Sequence, residues 1–228
     1  MNTSFLKAAA IIFVALITIS TSNAQEVQEL RVMRGGSVVF SRDITDIDSI
    51  IVVPIVDGVL INGVIWSTRN VDAFGSFAAN HTDAGMFYQW NKPKAWPVTG
   101  DVSTEWDKNP PEATWNPAND PCPNGWRVPT RTELQSLIDA GSTWTTIGDV
   151  NGRFFGSGTN TIFLPAVGYR LWHNGVLSDA GVYGYYWSST EGSTDENAYC
   201  LEFYDYNYSV RMDAQAELAG RCVRCVKK

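Results

Sequence analysis

The sequence lacks the features that mark nucleic-acid-binding proteins and the commoner hydrolases. Its 17 Lys and Arg are outnumbered by 24 Asp and Glu, which gives a formal net charge of −7. So acidic a chain has no broad basic surface with which to bind nucleic acid. Only two histidines are present, and no nucleophile-elbow, zinc-protease or phosphate-loop motif occurs. We therefore expect neither a nucleic-acid partner nor a catalytic site.

Long apolar runs are also missing, apart from one short run near the beginning. Lys7 precedes the run Ala8–Ile19, and Ser22-Asn23-Ala24 follows as a small-x-small cleavage site. The run is too short to span a bilayer, which takes about 20 residues, whereas this order of segments is typical of a signal peptide. We predict a signal peptide over residues 1–24 and no transmembrane segment. The chain is then secreted, periplasmic or on the outer cell surface, and the absence of a cysteine near the cleavage site argues against a lipoprotein.

Export would place the four cysteines in an oxidising compartment, where an even number predicts disulfide bonds. Three pairings are possible among Cys122, Cys200, Cys222 and Cys225. Cys222 and Cys225 lie three residues apart in a strand-like segment, so their side chains should leave opposite faces and find different partners. Because Cys200 lies in another predicted strand, this argument favours the bridges Cys200–Cys222 and Cys122–Cys225 over a redox or zinc centre.

The chain is rich in aromatic residues, at 12%, and these are spread over short segments separated by turns. Asn62-Gly63 lies between two apolar segments and predicts a β-hairpin. Thr130 and Glu133 form a capping box for a helix over residues 131–140, and residues 85–90 fit a second, shorter helix. The pattern predicts an α+β fold with one or two helices, short and mostly antiparallel strands, and long ordered loops.

A series of motifs between residue 59 and the end of the chain carries a family resemblance. In chain order they are Trp66-Ser-Thr-Arg-Asn-Val71, Gly85-Met-Phe-Tyr-Gln-Trp90, Asp120-Pro-Cys-Pro-Asn-Gly-Trp-Arg-Val-Pro-Thr130, Phe163-Leu-Pro165, Gly168-Tyr-Arg170, Gly184-Tyr-Tyr-Trp-Ser-Ser-Thr190 and Val223-Arg-Cys-Val226. Together they resemble the Fibrobacter succinogenes major paralogous domain, a family of secreted domains of Bacteroidetes-type bacteria.

The resemblance implies a C-type-lectin-like fold, similar to that of formylglycine-generating enzymes, over residues 59–228. It also implies a short β-rich leader segment over residues 25–58. Cys122 and Cys225 resemble the family's usual cysteines, which agrees with the strand argument above. Members of the family are mostly uncharacterised and are thought to be surface or secreted binding modules, so the implied function is binding.

Two groups of residues are candidates for ligand binding. Exposed aromatic rings can stack on the apolar face of a sugar, and the candidate rings are Trp172, Tyr204, Tyr206 and Tyr208. Carboxylate and amide oxygens in a loop are the ligands that calcium prefers, and the candidate oxygens belong to Glu191, Asp195, Glu196 and Asn197. Calcium is the one cofactor that the sequence suggests.

These observations predict a noncatalytic binding module whose partner is a glycan or a surface protein. A first alternative is a structural subunit of a surface appendage or envelope assembly, in which exposed strand edges of the leader segment would pair with a neighbour. A second alternative is an enzyme of the formylglycine-generating-like fold, which would need a pocket with paired carboxylates.

Overall fold

The computed structural model describes strand backbone over residues 15–18, 29–34 and 37–43, and it describes residues 58–194, 196–205 and 209–228. The chain forms two compact units, Met1–Ile55 and Val56–Lys228. In the first unit an antiparallel sheet has the strand order β1 (Ala15–Thr18), β2 (Glu29–Arg34), β3 (Ser37–Asp43). Strand β1 falls within the predicted signal peptide; the limits of signal peptide and leader stay predictions.

The regular elements in the described part of the second unit are short antiparallel strands, one α-helix and one short 3₁₀ helix (Pro117–Asn119). In chain order the strands and the α-helix are β4 (Gly58–Ile61), β5 (Val64–Ser67), β6 (Phe87–Tyr88), β7 (Ala95–Trp96), β8 (Trp126–Arg127), α1 (Arg131–Asp139), β9 (Ser142–Ile147), β10 (Val150–Ser157), β11 (Asn160–Pro165), β12 (Tyr169–Arg170), β13 (Leu177–Ser178), β14 (Tyr183–Glu191), β15 (Asn197–Tyr204), β16 (Val210–Ala216) and β17 (Val226–Lys227). The sheets have the orders β4-β5-β17-β8, β6-β7, β11-β10-β9, β12-β13 and β14-β15-β16.

This architecture corrects the predicted fold class. The expected α+β, C-type-lectin-like fold is not what the described residues form, because they are mostly β and contain one short α-helix. The predicted second helix over residues 85–90 is wrong as well. There Tyr88 lies in β6, and its backbone N–H and C=O bond to the C=O and N–H of Arg221 at 2.8 and 2.9 Å. A distant segment thus supplies the hydrogen bonds that a helix would make within itself.

The two local predictions with specific turn chemistry are confirmed. Strands β4 and β5 pair through the turn at Asn62 and Gly63, whose φ angles of +48° and +82° are those that a two-residue hairpin turn requires. Helix α1 begins with the capping box of Thr130 and Glu133. Arg127 adds a paired contact to the same carboxylate, at 2.6 and 2.8 Å, and so ties the start of α1 to β8.

Two clusters of buried side chains form the core of the second unit. Successive residues of β14 point to opposite faces of its sheet, so Tyr186 belongs to the first cluster and Trp187 to the second. The largest members of the first cluster are Trp66, Phe87, Trp96, Trp106, Phe155, Tyr186 and Phe203. The largest members of the second are Tyr88, Trp90, Trp126, Tyr185 and Trp187. The sheet β14-β15-β16 therefore contributes one face to each cluster.

The cysteines confirm one predicted disulfide and correct the other. Cys122 and Cys225 are bonded across 103 residues of sequence. Cys200 and Cys222 are free, buried thiols. The segment of Cys222 bonds to one edge of β14, at Tyr185 and Trp187, and β15 with Cys200 pairs with the other edge. Strand β14 thus separates the two thiols by about two strand spacings, roughly 10 Å, which exceeds the reach of a disulfide.

The length and polarity of the helices bear on whether any of them could span a membrane. Within the residues that the structure describes, no helix is both long enough and apolar enough to cross a bilayer.

Candidate functional site

Two adjoining cavities, of about 260 and 430 Å³, form a groove on the second unit. Both are lined by Pro110, Pro111, Glu196, Asn197 and Glu217. The first cavity is also lined by Ala113, Glu191, Gly192, Ser193 and Thr194. The second is also lined by Lys108, Trp172, Ala216 and Leu218. We call this set of residues the groove.

One wall of the groove is the loop between β14 and β15. Gly192 N–H donates to the C=O of Asn197 at 2.7 Å, and the side-chain amide of Asn197 donates to the Thr194 hydroxyl at 2.7 Å. A side chain at Gly192 would bring a Cβ within 2.6 Å of the same carbonyl oxygen, so the loop closes tightly because this residue is glycine. Glu196 has a φ of +70°, which turns the chain into β15 and leaves its side chain exposed.

Trp172 forms the end of the groove and lies in the turn between β12 and β13. Its side chain is 54% exposed, and its ring contacts the ring of His173, whose centroid is 5.1 Å away. Beneath this turn the indole N–H of buried Trp106 donates to the C=O of Trp172 at 2.9 Å. Gly175 lies directly on the Trp106 ring, which a Cβ there would approach to 2.4 Å. The backbone of the turn is thus held while the Trp172 ring faces solvent.

Arg170 is the second anchor of the same turn. It is completely buried, and its guanidinium donates hydrogen bonds of 2.6–3.1 Å to four backbone carbonyls. Those carbonyls belong to Pro97, Thr99, Gly100 and Gly175. Burial lowers the pKa of Arg170 from its ordinary value, and nearby Asp101 opposes that shift. Arg170 therefore cross-links the Trp172 turn to the segment that follows β7.

The opposite wall is formed by Pro110 and Pro111, which lie in an irregular loop fixed by polar side chains. Gln89, itself 1% exposed, donates to the backbone of Asp107 and of Leu218 at 2.7 and 2.9 Å. Lys92 forms an ion pair of 2.6 Å with Asp107. These contacts hold the proline wall against the Leu218 segment on the other side of the groove.

The floor of the groove contains a buried carboxyl residue, Glu217, which is 6% exposed. Its backbone N–H donates to the C=O of Glu196 at 3.0 Å, and its C=O accepts from Trp90 N–H at 2.9 Å. The floor is thereby joined both to the β14–β15 loop and to the second core cluster.

Comparison with protein families identifies the domain that contains this groove. Residues 62–226 match the model of the Lcl C-terminal domain. The chain belongs to this family. The match begins in the β4–β5 turn and ends in β17, so the Lcl C-terminal domain of this chain contains the disulfide and every residue of the groove. No curated protein and no solved structure matches the chain. The finer resemblance to the Fibrobacter succinogenes major paralogous domain is not confirmed.

Within the Lcl C-terminal domain, the structure joins the two groups of candidate residues at one point. Trp172, Glu191, Glu196 and Asn197 all line the groove. Tyr204 lies at the opposite end of β15 from Asn197, about 24 Å away at the rise of an antiparallel strand. Its ring packs on Tyr183, with centroids 4.8 Å apart. Asp195, Tyr206 and Tyr208 lie outside the described residues.

Some groove residues carried no recognisable signal in the sequence. Pro110, Pro111 and Lys108 belong to an irregular loop, and Glu217 follows β16. None of them has a periodic pattern or a motif, and tertiary contacts such as the hydrogen bond from Gln89 to the Leu218 backbone bring them to the groove that Trp172 lines.

The predicted calcium site stays a prediction. Among the described residues, no group of three or more His, Cys, Asp or Glu side chains is arranged to hold a metal ion. The proposed set includes Asp195, which is not among them. The other three residues of the set, Glu191, Glu196 and Asn197, line the groove. Their oxygen atoms are equally suited to bonding the hydroxyl groups of a ligand.

Proposed function

We propose that the chain is an exported, noncatalytic binding module of the cell surface or secretome, whose groove binds a glycan or a protein ligand. The observation that carries this proposal is the meeting of an exposed indole, Trp172, with the polar β14–β15 loop along one groove. The predicted signal peptide, the disulfide and the resemblance to secreted Bacteroidetes-type domains support an extracytoplasmic role.

The chemistry of the groove suits a saccharide particularly well. The face of an indole ring packs on the apolar face of a sugar ring, and neighbouring carboxylate and amide groups can bond its hydroxyls. In the groove these roles fall to Trp172 and to Glu196 and Asn197. Because Arg170 and Trp106 already fix the turn that carries Trp172, a ligand would lose little affinity to ordering that turn.

A glycan array tests the proposal, with residues 25–228 applied in calcium and again in EDTA. We expect binding that falls by at least about tenfold in Trp172→Ala, since stacking on an exposed aromatic anchor dominates such sites. Phe74→Ala is the matched control, because Phe74 is 49% exposed and does not line the groove. Equal losses in both variants, or glycan binding that survives Trp172→Ala, would place the ligand elsewhere.

The same array tests calcium in the β14–β15 loop. If calcium is part of the site, EDTA abolishes glycan binding. Glu196→Gln, which removes one carboxylate ligand, then raises the calcium concentration that glycan binding requires. Binding that persists in EDTA and is lost in Trp172→Ala would instead assign recognition to the ring and the hydrogen-bonding groups. An array silent in both conditions would favour a protein ligand, which pull-down from surface extracts with the same two variants would detect.

A further inference from the structure

Five apolar residues line the larger cavity of the groove; they are Trp172, Pro110, Pro111, Ala216 and Leu218. A sugar ring stacked on Trp172 therefore has apolar side chains beside it as well. A hydroxyl group buried against such side chains loses its hydrogen bonds to water without gaining a partner, whereas a methyl group gains free energy by the same burial. The apolar lining thus favours a sugar substituent that ends in a methyl group.

Asn197 supplies an oriented hydrogen-bond acceptor to both cavities, since it lines each of them. Its side-chain N–H donates to the Thr194 hydroxyl at 2.7 Å, which fixes the amide group. Within the part of the chain that the structure describes, no donor bonds the side-chain oxygen Oδ1 of Asn197, and this atom is accessible to water. A ligand group that donates an N–H or an O–H can therefore bond to an acceptor that is already in position.

The exposed charged side chains of the larger cavity are of opposite sign. They are Lys108, which can only donate hydrogen bonds, and Glu196, whose carboxylate accepts them. A neutral ligand group that has both a donor and an acceptor can use such a pair without bringing a charge of its own into the cavity.

We propose that the groove selects a glycan that carries acetamido groups, with a sugar ring on Trp172 and the acetamido N–H donating to Asn197 Oδ1. The acetamido methyl group then packs on the apolar residues of the larger cavity. This inference rests on the proposed function of the groove and names its ligand class. An acetamido group combines a methyl end, an N–H donor and zero net charge, which the lining residues match, and its carbonyl oxygen can accept from Lys108.

Two oligosaccharides that differ only in the substituent at C2 provide matched probes. The β-1,4-linked tetramer of N-acetylglucosamine carries acetamido groups where the tetramer of glucose carries hydroxyl groups, and calorimetric titration of residues 25–228 measures both affinities. We expect the acetylated tetramer to bind at least about tenfold more tightly, because one buried methyl group and one hydrogen bond each contribute a factor of about four to five. Raising the ionic strength to about 0.5 M should leave this affinity unchanged, since the bound group is neutral. A tenfold loss of affinity at that ionic strength would assign binding to charge and overturn the inference.

Two variants of Asn197 assign the preference to the groove. Asn197→Ala removes the acceptor and should reduce the preference for the acetylated tetramer to about fourfold or less, because only the methyl contact remains. Asn197→Asp keeps the side-chain shape and an acceptor oxygen, so its preference should stay within about twofold of the wild-type value. Asn80→Ala is the matched control, because Asn80 is an exposed asparagine that bonds a side chain three residues away, Asp83, outside the groove. The same preference in Asn197→Ala and in Asn80→Ala overturns the role of Asn197.

The outcomes separate this inference from the proposed function. If both tetramers bind equally and both are lost in Trp172→Ala, the groove is a saccharide site without selectivity for acetamido groups, and only the present inference fails. If the tetramer of glucosamine, which has the same backbone without acetyl groups, binds as tightly as the acetylated tetramer, the inference is wrong as well. If neither tetramer binds, glycans on the array that bind and all carry an acetamido group support the ligand class, whereas bound glycans without one overturn it and leave the function standing. If no glycan binds in either assay, the inference and the assignment to a glycan both fail.

Discussion

Trp187 and Trp172 place the same side chain in opposite surroundings. Trp187 on β14 is 1% exposed and donates its indole N–H to the C=O of Tyr88 at 2.8 Å. Trp172 is 54% exposed and is held through its backbone carbonyl, which accepts from Trp106. In the core the ring itself is the bonded and packed group. At the groove the backbone is fixed and the ring is exposed.

The difference shows that buried residues of the core hold the exposed ring of the groove in position. Trp106 belongs to the first core cluster, and Arg170 is completely buried, yet each donates one hydrogen bond to the turn that presents Trp172. An exposed ring on a loosely held loop would be an accidental apolar surface. A turn that is fixed by two buried side chains holds its ring in one position, and such preorganisation lowers the cost of association when a ring of this kind binds a ligand.

The largest expected effect is on the alkylation rate of the two buried core thiols, compared between the native and the urea-unfolded chain. Cys200 and Cys222 are 0% exposed, and burial raises the pKa of Cys200 to about 11 and that of Cys222 further still. Since the thiolate is the reactive form, alkylation in the native chain should be slower than in urea by about 10³-fold or more, because it waits for unfolding. Mass spectrometry after labelling in urea without reductant should find two modified cysteines. None modified would mean a Cys200–Cys222 bridge, and four would mean that Cys122–Cys225 is open.

The second contrast is thermodynamic. Trp187→Ala leaves a large cavity in the second cluster and removes the hydrogen bond to Tyr88, so we expect the free energy of unfolding to fall by about 3–5 kcal/mol. Trp172→Ala removes an exposed ring and should change it by less than about 0.5 kcal/mol. Urea unfolding followed by far-ultraviolet circular dichroism measures both. Equal midpoints for the two variants would break the distinction between core ring and groove ring.

Sequence reasoning succeeded where the determining contacts are local. The Asn62-Gly63 hairpin follows from two residues that adopt positive φ, and helix α1 follows from Thr130 and Glu133 three residues apart. Prediction failed where hydrogen bonds to a distant segment determine the backbone conformation. Residues 85–90 have a helix-compatible composition, but Arg221 takes the backbone bonds of Tyr88.

The cysteines and the groove show the same limit. The alternation of side chains along a strand correctly predicted that Cys222 and Cys225 face opposite sides, since they lie in different core clusters. It gave no strand order, and the insertion of β14 between Cys200 and Cys222 made the proposed bridge impossible. Likewise Trp172 and Glu196 were separate candidates in sequence, and only the tertiary fold brings them to one groove.

The smallest expected effect concerns Arg170, which connects the two regions. Arg170→Lys keeps a buried positive charge but loses the planar guanidinium group with its several donors. Some of the four backbone carbonyls that accept from Arg170 would then lack a donor; they belong to Pro97, Thr99, Gly100 and Gly175. We expect the free energy of unfolding to fall by about 1–2 kcal/mol. The affinity for whichever glycan the array identifies should fall by about threefold to tenfold, although Arg170 does not line the groove.

Arg211→Lys is the matched control for this variant. Arg211 is an exposed arginine that contacts Glu202 at 3.0 Å, and its replacement should change stability by less than about 0.5 kcal/mol and leave affinity unaltered. Quenching of Trp172 fluorescence by acrylamide, read as the difference between each variant and its Trp172→Ala counterpart, reports whether the turn has loosened. Wild-type affinity in a destabilised Arg170→Lys chain would mean that the groove does not depend on its buried anchor. Lost affinity with increased quenching would show that the core sets the position of the ring.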